Sequence, residues 1–227
     1  MYKSYNHLLD AYYDTVEYIA ENGVPEITED GEKTLTLLEP LTIRIEHPTT
    51  TTGFPYGLKR QAADVYAEQM IHPLRDTTHP YTYGQRLRTF ASETREGTTE
   101  ALSPIDQVNV LIDRLNVSKS SRRAVAVLYN PVVDSGRDEI PCMNHIQFRI
   151  VDGKLDCYVV FRSQDMLSAW FLNCYAISRL MDYVRNYLKT WCEKGCLYIT
   201  SNCPHIYHER DADVLSRVIT EGEIRKR

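Results

Sequence analysis

The chain has 227 residues, 43% hydrophobic and 25% charged, enough for one compact domain with a real core. Its net charge of −5 argues against a broad nucleic-acid surface. No apolar run approaches the ~18 residues of a membrane span, and Lys3, Asn6, His7 and Asp10 interrupt any signal-peptide pattern. The expectation is a soluble cytoplasmic protein, with no membrane or nucleic-acid partner.

Residues 5–21 are predicted helical, with Leu8, Leu9, Tyr12, Val16 and Ile19 on one side. Asn22-Gly23 stops that helix and Pro25 prevents its resumption. Residues 35–46 read as extended, Leu41, Ile43 and Ile45 alternating. A loop carries the threonines at 49–52, Gly53, Pro55 and Gly57. Residues 58–71 are predicted helical, and 77–88 less regular. Ser103-Pro104 is a good start for a helix running to about Asn116. Residues 123–129 read as a strand. Two β-prone runs then flank Asp152-Gly153, a strong hairpin signal. Residues 166–189 form a long predicted helix with an apolar stripe through Leu167, Trp170, Cys174, Ile177, Met181, Val184 and Leu188. A last extended segment spans 196–206. Strands and helices mix without βαβ regularity, which predicts an α+β or mixed-sheet architecture over residues 1–227.

Six cysteines (142, 157, 174, 192, 196 and 203) are too few for a disulfide scaffold, and no Cys or His cluster suggests a metal. Cys142 stands out. It follows Pro141 at the head of the hairpin, whose second arm ends in Arg162-Ser163-Gln164-Asp165. A thiol becomes a useful nucleophile beside a cation. With a two-residue turn, Val151 faces Lys154 and Ser163 faces Cys142. Arg162 then falls on the other face unless a bulge turns it inward. Taken alone, Cys142 also reads as a small buried hydrophobe. Asn173 falls inside the apolar half of the long helix. A buried amide needs partners. These are either neighbouring backbone or a ligand edge with one donor and one acceptor, as uracil offers at N3–H and O4.

Further residues fall into a joint pattern from about Pro104 to His208. Ile105-Asp106-Gln107-Val108 opens a helix leading to Ser121-Arg122-Arg123. Pro141-Cys142, Gln147-Phe148, Gly153-Lys154-Leu155 and Arg162-Ser163-x-Asp165 follow, then Asn173, His205 and Tyr207. In order and spacing this resembles thymidylate synthases and the related pyrimidine-nucleotide hydroxymethylases. Upstream, Tyr83-Gly84 with Arg88 resembles the family's Tyr-Gly motif, and Glu68 its catalytic glutamate. Ala67-Glu68-Gln69 and Ser168-Ala169-Trp170 look most like the short archaeal-type enzymes.

The resemblance implies a large mixed, bulged β-sheet flanked by helices. It implies that Cys142 attacks C6 of the pyrimidine, and that Arg162 holds the nucleotide phosphate and favours the Cys142 thiolate. Ser163 would donate to the same phosphate. Arg122 and Arg123 would reach it from a partner subunit, making the protein a homodimer with shared sites. Asn173 would read uracil, and His205 and Tyr207 the sugar hydroxyl. Glu68 would manage protons through water near O4, with Tyr83 helping remove the C5 proton. Asp165 would bind the substrate side, and Asp165 and Trp170 would meet the one-carbon donor, methylene-tetrahydrofolate or methylene-tetrahydromethanopterin. No metal is implied.

Several positions depart from the family pattern. Met143 stands where a His follows the nucleophile, and Phe161 where a Gln precedes the arginine, both expected near the pyrimidine. The amino-terminal phosphate arginine has no match in the loop at 48–57, with Arg44 and Arg60 as possible substitutes. The chain ends at Arg227, without the longer extension that closes over folate in the common enzymes. The expected activity is thymidylate synthesis from dUMP. A uridylate 5-hydroxymethylase, or a nucleotide-binding homologue without turnover, is the alternative.

Overall fold

The computed structural model describes residues 1–49, 53–74, 79–90 and 104–226. In chain order the elements are β1 (Tyr2–Tyr5), α1 (Leu8–Asn22), β2 (Val24–Ile27), β3 (Lys33–Thr36), β4 (Leu41–Ile45), α2 (Arg60–Ile71), α3 (Tyr83–Arg88), α4 (Gln107–Val117) and β5 (Val125–Val127). There follow α5 (Pro131–Asp134), β6 (Met143–Val151), β7 (Lys154–Phe161), β8 (Gln164–Asp165), α6 (Trp170–Asn186), β9 (Glu193–Ser201), β10 (Pro204–Ile206) and α7 (Ala212–Arg225).

Alternation builds the larger sheet. Leu41, Ile43 and Ile45 of β4, Leu197 and Ile199 of β9, and Cys157, Val159 and Phe161 of β7 all point to one buried face. Helices α1, α4 and α6 lie against this sheet. The order is β1-β4-β9-β7-β6-β5, with parallel β1·β4 and β7·β9 pairs among antiparallel neighbours. The opposite face carries Thr42, Arg44, Tyr158 and Tyr198, all partly exposed. Tyr158 and Tyr198 stack there at 4.7 Å. This is an α+β fold with a large mixed sheet flanked by helices.

A second, four-stranded sheet runs β2-β3-β10-β8. The predicted strand at 35–46 is therefore two strands in different sheets, and so is the segment at 196–206. The chain crosses from the large sheet to the small one without an intervening helix after Phe161 and after Ser201. The two crossings are tied by Asn202 N–H donating to Phe161 O at 2.9 Å and Gln164 N–H to Cys203 O at 3.0 Å. Arg162 and Ser163 occupy one of these corners.

Other expectations need adjustment at their ends. Trp170, not Met166, begins the long helix, because Asp165 caps a turn at 166–169 first. Asp106 is the N-cap of α4, its carboxylate accepting from Asn109 N–H at 3.0 Å; Ser103 and part of the loop at 49–52 lie outside the described residues. Gly23 ends α1 in an extended conformation, its N–H donating to Ile19 O at 2.7 Å. Helix α7 was not anticipated. It docks on α1 through Tyr13 with Glu221 and Arg225 with Asp10.

Candidate active site

The β6·β7 hairpin turns on Asp152 (φ 49°) and Gly153 (φ 75°), the left-handed pair that a two-residue type I′ turn requires. Register runs regularly from Val151↔Lys154 to His145↔Val160, then shifts to Met143↔Phe161. Asn144 is the extra residue of a β-bulge, and its Nδ2 donates to Pro141 O at 3.0 Å. The shift brings Arg162, not Ser163, opposite Cys142: Arg162 N–H donates to Cys142 O at 2.8 Å. The guanidinium is held by the loop before Cys142, Nε to Pro141 O at 3.2 Å and Nη2 to Ile140 O at 3.0 Å. Burial pushes the Cys142 thiol up while Arg162 pulls it down, and burial prevails. The expected pull of Arg162 toward the thiolate is present, and burial outweighs it. All six cysteines are free.

Three tyrosines surround this thiol, of which the sequence pointed only to Tyr83. Tyr66, Tyr81 and Tyr83 all interact electrostatically with Cys142. Tyr81 Oη donates to Ile140 O at 3.2 Å, and Met143 N–H donates to Tyr83 Oη at 3.4 Å. Gly84 explains how Tyr83 gets there. A Cβ at this position would fall inside contact distance of the Gln69 and His72 carbonyl oxygens, so only glycine lets α3 press onto the end of α2. Burial pushes the Tyr66 and Tyr83 phenols well above the usual range. Both stay protonated at neutral pH, and Tyr83 Oη accepts from Met143 N–H. A cavity of about 280 Å³ opens among Tyr66, Gln69, Tyr81, Tyr83 and Glu139.

Glu68 is not brought to this cavity. Two residues from Tyr66 on α2, it faces the outside, 52% exposed at its side chain, with His72 Nε2 at 3.3 Å. It lines a separate shallow groove with Arg60 and Asp64. The carboxylate on the cavity wall is instead Glu139, which sequence reasoning missed. Met143 and Phe161 are both 0% exposed, and Phe161 packs edge-on to Tyr83 at 6.4 Å.

The parallel β8·β10 pair sets His205 beside Asp165. His205 Nδ1 lies 3.1 Å from Cys203 O and 3.5 Å from Ser163 Oγ. The His205 ring meets Tyr207 edge-on at 5.0 Å, and Tyr207 also interacts electrostatically with Cys142. Ser163, Asp165, His205 and Tyr207 thus come together, with Arg162 and Cys142 alongside. Arg210, unforeseen in the sequence, lies 3.8 Å over the Tyr207 ring. It reaches Asp165 at 3.2 Å and grips Asp211 through two bonds at 3.0 and 2.7 Å. The other Asp165 oxygen accepts from Leu167 and Ser168 N–H, both at 3.0 Å. Asp165 is therefore committed to the fold on both sides. Trp170 is 0% exposed and offers no surface to a ligand in this conformation.

Asn173 is 5% exposed on α6, and its Oδ1 accepts from Tyr66 Oη at 2.7 Å. Arg122 and Arg123 are exposed at the start of β5 and make no ion pair with any described residue. Ala124 O accepts from Phe148 N–H, so these arginines lie about 20 Å along β6 from Cys142 of the same chain. Of the other arginines considered, Arg44 pairs with Glu46 at 2.6 Å on the open sheet face and Arg60 lies over Phe54. No metal-binding cluster occurs among the described residues, and no helix among them is long and apolar enough to cross a membrane.

The sequence matches the family model described as thymidylate synthase over residues 64–223. A Methanosarcina barkeri protein provisionally named thymidylate synthase is 30% identical over 217 residues, covering 92% of this chain and 90% of its own. A Methanosarcina acetivorans protein of the same provisional name is 31% identical over 214 residues, covering 94% and 92%. One from Methanocaldococcus jannaschii is 31% identical over 211 residues, covering 87% and 90%.

Proposed function

The chain belongs to the thymidylate synthase family, and we propose that it methylates dUMP at C5 with a methylene-tetrahydropterin as one-carbon donor. The observation that carries this reading is the bulge at Asn144, which aligns Arg162 with Cys142. A nucleophile beside an anion-binding guanidinium suits a substrate that carries both a reactive ring and a phosphate.

In this reading the Cys142 sulfur bonds to C6, its proton passing through water to Glu139, and the C5–C6 electron pair moves toward O4, making C5 nucleophilic. After C5 has taken the one-carbon unit and lost its proton, the C6–S bond breaks and the thiol is restored. The Asn173 amide donates to O4 as charge develops there. Arg162 and Ser163 hold the phosphate, and His205 and Tyr207 the sugar. The tyrosine-walled cavity fits the donor's ring, with aromatic faces to stack on and Gln69 and Glu139 for its polar edge. Bound there, the donor supplies the one-carbon unit and a hydride. Glu139 and Tyr83 pass protons through water. Asp165 acts mainly by holding the 166–169 turn in place.

A second copy completes the phosphate site with Arg122 and Arg123. What supports this is their distance from their own Cys142, and a broad sheet face left open beside Tyr158 and Tyr198. The test of the reaction is product mass after incubation with dUMP and either methylene-tetrahydrofolate or methylene-tetrahydromethanopterin. A gain of one CH₂ supports the synthase. A gain of CH₂O means that water captured the one-carbon unit and makes the protein a hydroxymethylase. Tight dUMP binding with no product and no C5 proton exchange means a binding protein.

A further inference from the structure

An asparagine amide is almost symmetric in shape but not in chemistry. Turned over, it exchanges a donor for an acceptor. Uracil presents an acceptor at O4 and a donor at N3–H, whereas cytosine presents a donor at N4 and an acceptor at N3. An amide free to reverse can satisfy either base, so Asn173 alone does not discriminate between them.

Tyr66 supplies what Asn173 lacks. The two residues meet across the packed helices α2 and α6, with Tyr66 Oη 2.7 Å from Asn173 Oδ1. The phenol stays protonated, because burial raises it far above the usual range. It has one proton to donate, and Asn173 Oδ1 accepts it. If the amide reversed, Nδ2 could donate to the phenol oxygen, but the phenol proton would lose its acceptor in a desolvated position. The favoured orientation keeps Oδ1 on Tyr66 and leaves Nδ2, with the second Oδ1 lone pair, for a ligand.

We propose that Tyr66 is a specificity-determining residue, which locks the Asn173 amide in the one orientation that accepts uracil and refuses cytosine. The proposal rests on the uridylate reading of the site. Tyr66 does not touch the reacting atoms in this account; it positions Asn173, and the sequence around it, an ordinary amphipathic helix, gives no sign of that task.

The test is calorimetric titration of dUMP and dCMP into the wild type, Tyr66→Phe, Asn173→Asp and the double variant. Tyr66→Phe keeps the ring and removes the hydroxyl. It is expected to cut the dUMP preference by about tenfold or more, chiefly by tightening dCMP. In the Asn173→Asp background there is no amide to reverse, so adding Tyr66→Phe should leave the ratio unchanged. A purely structural hydroxyl would weaken both nucleotides equally. A wild-type preference that survives in Tyr66→Phe overturns the lock and leaves the uridylate reading standing. A wild type that binds neither nucleotide, or binds both alike, overturns the uridylate reading and the lock with it. Nuclear Overhauser contacts in the wild type give a check that needs no variant. Strong contacts from the Asn173 Nδ2 protons to the Tyr66 ring edge would show the reversed amide and overturn the proposal.

Discussion

Arg162 lies opposite Cys142 because β6 holds one residue more than β7 can pair. The guanidinium is fixed by the carbonyls of Ile140 and Pro141, on the loop that carries the thiol. Cation and nucleophile are therefore parts of one local structure. A side chain positioned by its own neighbour's backbone needs little reorganisation when an anion arrives.

The first prediction concerns this pair. Burial sets the resting thiol pKa above that of an ordinary cysteine, and Arg162 opposes the shift. The pH midpoint for alkylation of Cys142 by iodoacetamide should lie above that of free cysteine. Arg162→Ala removes the opposing charge, so the midpoint should move further up. A downward move, or none, would show that the guanidinium does not act on the sulfur. Cys142→Ala should abolish product formation and release of tritium from C5-labelled dUMP, while leaving nucleotide binding.

The second prediction separates two carboxylates. Glu68 is tied to His72 outside the cavity, whereas Glu139 lines it. Glu139→Gln should lower kcat by about a hundredfold, the usual range for a group that moves protons. Glu68→Gln should change kcat less than about twofold. The reverse ranking would return the proton-carrying role to Glu68 and require α2 to turn on ligand binding.

The third prediction concerns Arg210. Its side chain is 43% exposed, so its ion pairs with Asp165 and Asp211 add little stability, about 1 kcal/mol or less. Its position 3.8 Å over Tyr207 matters more. Arg210→Met should leave Tm within a few degrees and raise KM for dUMP several-fold, with a smaller change in kcat. Equal losses in Tm and KM would mean a structural role alone.

A fourth prediction tests the packing that delivers Tyr83. Gly84→Ala places a methyl group against two carbonyl oxygens at the end of α2. Backbone cannot yield as a flexible side chain would, and a loss of about 3 kcal/mol or more in urea unfolding is expected. Retained stability would show that α3 can move away from α2 at little cost.

The hairpin, the long helix and Cys142 were legible in the sequence because period and turn chemistry are local. Asp152-Gly153 marked the turn, and the position of Arg162 was read correctly as depending on a bulge. A bulged sheet followed from the resemblance, but the place of the bulge was not legible, since Asn144 looks like any strand residue until β6 and β7 are paired. Glu139 was not singled out beside Glu68, because which carboxylate meets the cavity depends on α3 packing onto α2 through Gly84. Tyr66, Tyr81 and Arg210 were overlooked for a related reason. Their importance lies in contacts such as Tyr66 with Asn173, which are 107 residues apart in the chain. Met143 and Phe161, adjacent in sequence to Cys142 and Arg162, are fully buried, and Phe161 packs on Tyr83, which the sequence pattern alone does not show.

The last prediction asks whether the site is shared between copies. Arg122 and Arg123 lie too far along β6 to reach the phosphate near their own Arg162. If they serve a second copy, a Cys142→Ala chain and an Arg122→Ala/Arg123→Ala chain are each inactive for different reasons. Mixed through reversible unfolding in equal amounts, half the dimers would pair one of each. Each such dimer would hold one intact site, with its thiol from one chain and its arginines from the other. Activity should recover to about one quarter of the wild-type value, as two-fold symmetry dictates. Size-exclusion chromatography should show the dimer in every sample. Dimers without recovery would assign the phosphate site to a single chain, and the two arginines to the solvent.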